Sequence, residues 1–270
     1  MSVAGNIDLD YWEDFFTEKK DQEYDWYCTY SAMAKILRRH VKKGSNVLVM
    51  GCGNSPFSAD LYDNVPDIHI TNIDFSPICI RSMLMKHLRA RPGMKWLVQD
   101  CTKMPKIANK SMDVVLDKGC AYSMMRDRGV SVRKMLRQVR RVLKTGGILS
   151  MVTLLTQDLL MILLSSKEAI YKGQGYIKFE LLKPTFNEKR EPIQPFHITM
   201  TYEAPECAES EMEGQVMEVE DISEHQEEQK IVIAFERGDG RGVNAGIVEA
   251  AYLFLLEEKE RREKACKVES

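Results

Sequence analysis

Asn46-Val47-Leu48-Val49-Met50-Gly51-Cys52-Gly53-Asn54-Ser55-Pro56 runs from a short apolar stretch through two glycines into the start of a helical pattern. Five such residues ahead of a turn predict a strand buried on both faces. Glycines at the turn let a ligand approach the backbone, and the helix behind them presents unpaired N–H groups. The same pair also suits an ordinary tight strand-to-helix turn, so the flanking chain has to decide between the two.

Downstream, helix and strand signals alternate. Pro56 to Tyr62 predicts a helix, Ile68 to Asp74 a strand, Pro77 to Leu88 a helix with proline in its first turn, and Lys95 to Val98 a strand. Asp113 to Asp117 reads as the next buried strand. Val132, Met135, Leu136, Val139, Val142 and Leu143 share one helical face, closed by Gly146 and Gly147 and followed by a strand from Ile148 to Leu155. This rhythm implies βαβ units with right-handed crossovers in a mainly parallel sheet. Upstream, Tyr30, Met33, Ala34, Leu37 and Val41 recur at helical spacing, in a helix that Gly44 is expected to end. Ahead of it, Asp10 to Tyr30 is an aromatic lead carrying two of the three tryptophans.

Past residue 165 the rhythm changes. Tyr176 to Leu182 and Phe196 to Tyr202 predict antiparallel strands that finish the sheet. Residues 203–229 hold 11 acidic residues and no Lys or Arg, the mark of a solvated mobile loop. Gly246 to Lys267 predicts an amphipathic terminal helix. The expected organisation is an aromatic N-terminal segment with the first helix (1–45), a core (46–202), an acidic mobile loop (203–229) and a C-terminal extension (230–270), all in a single domain.

Composition sets the outer bounds. The 270 residues are 44% hydrophobic and 29% charged, with a net charge of -2, which excludes disorder as the general state. A pI near 6.3 gives no global pull toward nucleic acid, although a local basic face stays open. Seven scattered cysteines without a Cys-x-x-Cys pair argue against a disulfide framework or zinc ribbon. Five histidines form no ligand cluster, and no metal is expected. The acidic N-terminus lacks the apolar core of a secretory signal. Ile148 to Leu164 is too broken by Thr153, Thr156, Gln157 and Asp158 for a membrane span of ~20 apolar residues. The expectation is a soluble protein of a reducing compartment, with no membrane partner.

Chemistry enters with Asp74. It stands 21 residues after Gly53, at the carboxyl end of the next strand, where a carboxylate accepts both hydroxyls of a ribose. Pro56 replaces the third glycine of a dinucleotide fingerprint, which weakens NAD or FAD. Asp100, following Trp96-Leu97-Val98-Gln99, is placed to accept from the exocyclic amine of adenine, or else to cap a turn. A glycine turn with acids after the second and third strands resembles the S-adenosylmethionine site of class I methyltransferases. The fold expected is then α/β and Rossmann-like, with a central, mostly parallel seven-stranded sheet and helices on both faces.

A narrower resemblance rests on several motifs in order. Val47-Leu48-Val49-Met50-Gly51-Cys52-Gly53-Asn54-Ser55-Pro56-Phe57-Ser58, then Leu61-Tyr62-Asp63, Asn72-Ile73-Asp74-Phe75-Ser76 and Val114-Val115-Leu116-Asp117-Lys118-Gly119 are similar to the methyltransferase-like 13 family. So are Tyr11-Trp12-Glu13-Asp14-Phe15-Phe16 and Tyr24-Asp25-Trp26-Tyr27 in the lead. The family includes lysine methyltransferases that modify translation elongation factor 1-alpha. The resemblance spans residues 10–155 and, more loosely, 196–205.

It implies S-adenosylmethionine as cofactor and S-adenosylhomocysteine as product, with segment 1–45 capping the site. Trp12, Phe16 and Trp26 then line the cofactor pocket, Gly51 approaches the methionine end, Gly53 joins the cofactor-binding turn, and Asp74 and Phe75 hold the ribose region. Asp100 and Cys101 flank the adenine, and Lys118 lies near the cofactor. Asp117 is the candidate acceptor of the substrate's proton, with Lys118 beside it. Each has a plainer alternative: core packing for the tryptophans, a strand-end salt bridge for Asp117 and Lys118.

Two departures stand out. Met50 replaces the acid common before the glycine pair in class I enzymes, as it also tends to be replaced in this family. Cys120-Ala121-Tyr122-Ser123 stands where the family usually has Thr-Leu-Asp-Ala, which bears on substrate choice and on activity; Tyr122 is a candidate to line an amine channel, a role that the sequence alone assigns to no residue. The function implied is cytoplasmic lysine methylation of elongation factor 1-alpha or a related protein. Two other possibilities stay open. One is a silent scaffold whose acidic 203–229 segment binds a basic partner. The other is a small-molecule or RNA methyltransferase using the basic clusters Arg38 to Lys43 and Arg133 to Lys144, although no nucleic acid is expected.

Overall fold

The computed structural model describes residues 9–19, 22–165, 176–187 and 190–201, the strands 218–221 and 231–236, and single positions between 253 and 264. Two helices come first, α1 (Leu9–Glu18) and α2 (Tyr30–His40). Then strands and helices alternate: β1 (Asn46–Met50), α3 (Phe57–Asn64), β2 (His69–Asp74), α4 (Pro77–His87), β3 (Met94–Val98) and β4 (Met112–Lys118). A short helix α5 (Cys120–Ser123) and a single turn (Met124–Asp127) lead into α6 (Val130–Val142), β5 (Leu143–Thr153) and α7 (Gln157–Ser165). The elements that follow among the described residues are strands: β6 (Tyr176–Leu181), the small hairpin β7 (Thr185–Phe186) and β8 (Pro192–Ile193), β9 (Phe196–Thr201), β10 (Glu218–Asp221) and β11 (Ile231–Glu236).

The main sheet runs β10-β11-β6-β9-β5-β4-β1-β2-β3. Its seven strands from β6 to β3 are those expected from the sequence. All pair in parallel except β9, which is antiparallel to both neighbours and so leaves β6 parallel to β5. β11 and β10 extend the edge antiparallel, making nine strands. Thus four residues inside the segment read as an acidic loop, Glu218–Asp221, form the last strand of the sheet among the described residues, paired with β11. The rest of 203–229 and the terminal helix expected over 246–267 lie outside the described residues, apart from scattered helical positions.

Alternating strand residues build two apolar layers. Leu48 and Met50 of β1, Val115 of β4 and Leu149 and Met151 of β5 pack with α6 and α7. Val47 and Val49, Val114 and Leu116, and Ile148 and Val152 point the other way, toward α2, α3 and α4. On α6 the five buried residues are Val132, Met135, Leu136, Val139 and Val142, the expected face.

Two boundaries differ from the sequence reading by more than two residues. α2 ends at His40 instead of at Gly44, because buried Val41, whose N–H still closes a helical bond to Leu37 O at 2.7 Å, turns to an extended backbone (φ −89°, ψ 119°). β5 begins at Leu143, before the glycines, through backbone pairing with Met112. Register then jumps to Val114 opposite Ile148. No described helix is long and apolar enough to cross a membrane.

Candidate active site

The carboxyl ends of β1, β2, β4 and β5 meet at one edge of the sheet, the place where open parallel sheets take ligands. A cavity of about 540 Å³ opens there. Gly51 and Gly53 both sit at positive φ (+55° and +53°), and Cys52 N–H bonds to Ile73 O at 3.1 Å, tying the turn to β2. At the end of β2, the buried Asp74 accepts the Gly53 N–H (3.1 Å) on one oxygen and the Ser76 N–H (3.0 Å) on the other. Burial raises its carboxyl to about 6 in spite of these backbone N–H groups. An ionised carboxylate offers about four lone-pair positions, so Asp74 keeps acceptor capacity beyond those that brace the turn.

The N-terminal segment covers this edge. Trp12 and Phe16 of α1 stack with centroids 5.7 Å apart, Tyr24 meets Trp26 at 4.7 Å, and Tyr27 meets Tyr122 edge-on at 6.4 Å. Polar clamps hold the cover down. Ser76 Oγ bonds to Glu13, Ser55 Oγ donates to Asp25, and Asn54 Nδ2 donates to Gln22 O at 2.7 Å. Lys118, at the end of β4, donates to Asp25 Oδ1 at 2.8 Å and to the Trp26 carbonyl at 3.2 Å. The cover is therefore a strap bolted to the glycine turn and to β4. Lys118 does form an ion pair, but with Asp25, 93 residues away, and not with Asp117.

Asp117 is the most unusual group at the edge. It is 1% exposed, its Oδ2 accepts the Ala121 N–H at 2.9 Å, and its Oδ1 has no partner. Burial pushes the carboxyl up to about 7, against the N–H groups of Ala121, Cys120 and Gly119. Beside it, Cys120 packs on the glycine turn and lies 3.8 Å, sulfur to sulfur, from Cys101. That contact and burial both raise the Cys120 thiol. Burial likewise raises the Tyr27 phenol, which stays a neutral donor.

Of the residues singled out from the sequence, Trp12, Phe16, Trp26, Gly51, Gly53, Asp74, Phe75, Asp117 and Lys118 all line this one cavity. Asp100 and Cys101 lie outside its lining. Asp100 Oδ1 accepts from the N–H and Oγ1 of Thr102, at 2.8 and 2.7 Å, the turn-capping alternative. Sequence reasoning missed Asp25, Ser58, Ser150 and Asp158. Asp25 lay inside a quoted motif, but Ser150 in mid-strand carries no local signal. Among the described residues, Cys52, Asp74 and Cys79 also bring three possible metal-ligand atoms together. Both Asp74 oxygens there already face backbone N–H groups.

A methyltransferase domain model matches residues 41–190, more than half of the chain. The chain belongs to the methyltransferase domain family. Among curated proteins, this family member is 39% identical over 143 residues to the eEF1A lysine and N-terminal methyltransferase of Homo sapiens, covering 52% of the chain and 20% of that protein. It is 33% identical over 159 residues to the homolog in Drosophila melanogaster (57% and 23%). Against EEF1A lysine methyltransferase 4 of Mus musculus it is 27% identical over 151 residues (52% and 58%). The chain thus matches about a fifth of the length of the first two relatives, and the motif resemblance falls on the same proteins. Among solved structures, a SAM-dependent methyltransferase from Methanosarcina mazei superposes with a TM-score of 0.51 at 16% identity, covering 67% of this chain and all of that one. This likeness bears out the Rossmann-like class I fold.

Proposed function

We propose that this methyltransferase-family protein is an S-adenosylmethionine-dependent enzyme that methylates a lysine side chain of elongation factor 1-alpha or a related protein in the cytoplasm. The observation that carries the proposal is buried Asp117, whose Oδ1 has no hydrogen-bond partner, among the residues that line the same cavity as the glycine turn and Asp74. The names of the curated relatives support the substrate, and the five free cysteines among the described residues accord with a reducing compartment.

The residues fit the cofactor. Two glycines at positive φ leave two positions of the turn without side chains, Asp74 retains lone pairs for ribose hydroxyls, and aromatic rings close the cavity over them. Bound there, S-adenosylmethionine supplies a methyl group on a cationic sulfur. The chain's own task is to hold the acceptor nitrogen in line and neutral, since positioning supplies much of the rate of such a displacement.

A lysine ammonium has a pKa of ~10.4 in water and loses its proton more readily when desolvated. Asp117 Oδ1 is the acceptor for that proton. Its pKa of about 7 lies nearer the operating pH than an ordinary carboxylate's, which suits a general base. Trp26, Tyr27 and Tyr122 exclude water around the amine and offer ring faces to a cation. The test is transfer of labelled methyl from S-adenosylmethionine to elongation factor 1-alpha from a hypomethylated source, with the modified residue mapped by mass spectrometry. Label on lysine supports the reading. Label on the N-terminus alone corrects the target, and no label on any lysate protein overturns it.

A further inference from the structure

Four polar side chains form one hydrogen-bonded line from the surface to the cavity. Arg39, near the end of α2, donates through Nη2 to both oxygens of Glu180 on β6, at 2.8 and 3.0 Å. Glu180 Oε2 lies 3.1 Å from Nδ1 of His197 on β9, and Nε2 of that ring lies 2.8 Å from Ser150 Oγ on β5. Glu180, His197 and Ser150 are 1, 0 and 2% exposed. Burying such groups is costly unless every link is made. Here each is made, although none of these side-chain bonds is needed for the β-ladder.

The direction of the protons follows from the charges. Glu180 faces Arg39 and, at 3.7 Å, Lys178, so it is ionised and only accepts. Although burial opposes ionisation, the bonds from His197 and Arg39 hold its carboxyl down at about 2. Burial keeps the His197 ring neutral. Nδ1 therefore carries the ring proton and donates to Glu180, and Nε2 is left bare to accept the Ser150 hydroxyl proton. Ser150 then shows the cavity only lone pairs.

Position adds the ligand. Ser150 lines the cavity on the α2 face, where Met33, Leu37, Val49, Leu116 and Val152 supply an apolar surround. β5 stands three strands from β2 and its Asp74, a span of ~14 Å at the usual spacing. A nucleoside with an extended amino-acid tail, hydrogen-bonded at both ends, bridges such a span. We propose that Ser150 is the acceptor for the ammonium group at the end of the cofactor's tail, with His197 and Glu180 as positioning residues that fix its polarity. This rests on the S-adenosylmethionine reading of the cavity.

The test is calorimetric binding of two ligands: S-adenosylhomocysteine, which has the tail, and methylthioadenosine, which lacks its amino acid. Ser150→Ala is expected to weaken the first about tenfold, the loss of one hydrogen bond to a charged group, and to leave the second within about twofold. Ser150→Thr keeps the hydroxyl and is expected to restore binding. Nitrogen NMR of His197 at pH 7 is expected to show a neutral ring protonated at Nδ1, and Glu180→Gln to move the proton to Nε2. Equal losses for both ligands, no loss for either, or a wild-type ring protonated at Nε2 overturns the proposal alone. Wild-type protein that binds neither ligand overturns it together with the cofactor reading.

Discussion

Gly51→Ala is expected to cost far more than Gly53→Ala, although the two glycines are two residues apart and share a backbone conformation. Both lie in the left-handed region, where an L-residue loses roughly 1–2 kcal/mol. They differ in surroundings. A Cβ at Gly53 would rest 3.7 Å from the Phe16 ring, ordinary contact, whereas one at Gly51 would stand 2.8 Å from both Cβ and Sγ of Cys120. Rotating the thiol away relieves only one of those clashes, so the start of α5 has to move, an overpacking that typically costs about 1–3 kcal/mol. The expected losses are therefore about 1–2 kcal/mol for Gly53→Ala and about 2–5 kcal/mol for Gly51→Ala, read from urea unfolding at constant slope. Adding Cys120→Gly removes both obstructing atoms and is expected to be less than additive with Gly51→Ala, which a double-mutant cycle measures. Equal losses at the two glycines, or full additivity with Cys120→Gly, would refute the packing of Cys120 under the glycine turn.

Other perturbations read different parts of the site. Asp117 has a folded pKa of about 7 against 3.8 for the free side chain. From pH ~4 to ~7 the unfolded chain is thus ionised while the folded one keeps the proton, and stability falls as pH rises, by at most about 4 kcal/mol. Asp117→Asn is expected to remove that slope in urea unfolding across the window, and a slope equal to wild type contradicts the burial of the carboxyl. Lys118→Met leaves Asp25 charged and largely buried, and is expected to lose about 3–5 kcal/mol; adding Asp25→Leu recovers most of it, because an apolar pair replaces a buried ion pair at little cost. Unchanged unfolding in Lys118→Met would detach the strap from β4. Cys28, whose thiol burial pushes up to about 12, is expected to alkylate roughly a thousandfold more slowly than an exposed cysteine until denaturant is added. Rapid labelling in the folded protein would show that the strap does not cover it.

The fold was legible because buried parallel strands leave short apolar runs, as Val47–Met50 and Val114–Leu116 do. Where pairing alone decides, the sequence is silent. Leu143 joins β5 through its partner Met112, and the polar Glu218–Asp221 becomes a strand through its pairing with β11. Much of the candidate site also announced itself, since Gly51, Gly53, Asp74 and Asp117 stand at strand ends at readable spacing. Its long-range bonds did not. Nothing local to Lys118 points to Asp25, and nothing near Ser150 points to His197, 47 residues on. Asp100 shows the reverse limit: one residue type served two readings, and its Oδ1 bonds to Thr102 at a turn.

Whether the edge between Gly51, Asp74 and Asp117 is the cofactor site is decided by a crystal structure with S-adenosylhomocysteine. The ribose hydroxyls are expected on Asp74, the sulfur above the glycine turn, and an open path from it to Asp117 Oδ1. Product bound elsewhere on the chain, or a ribose that leaves Asp74 untouched, would contradict that assignment.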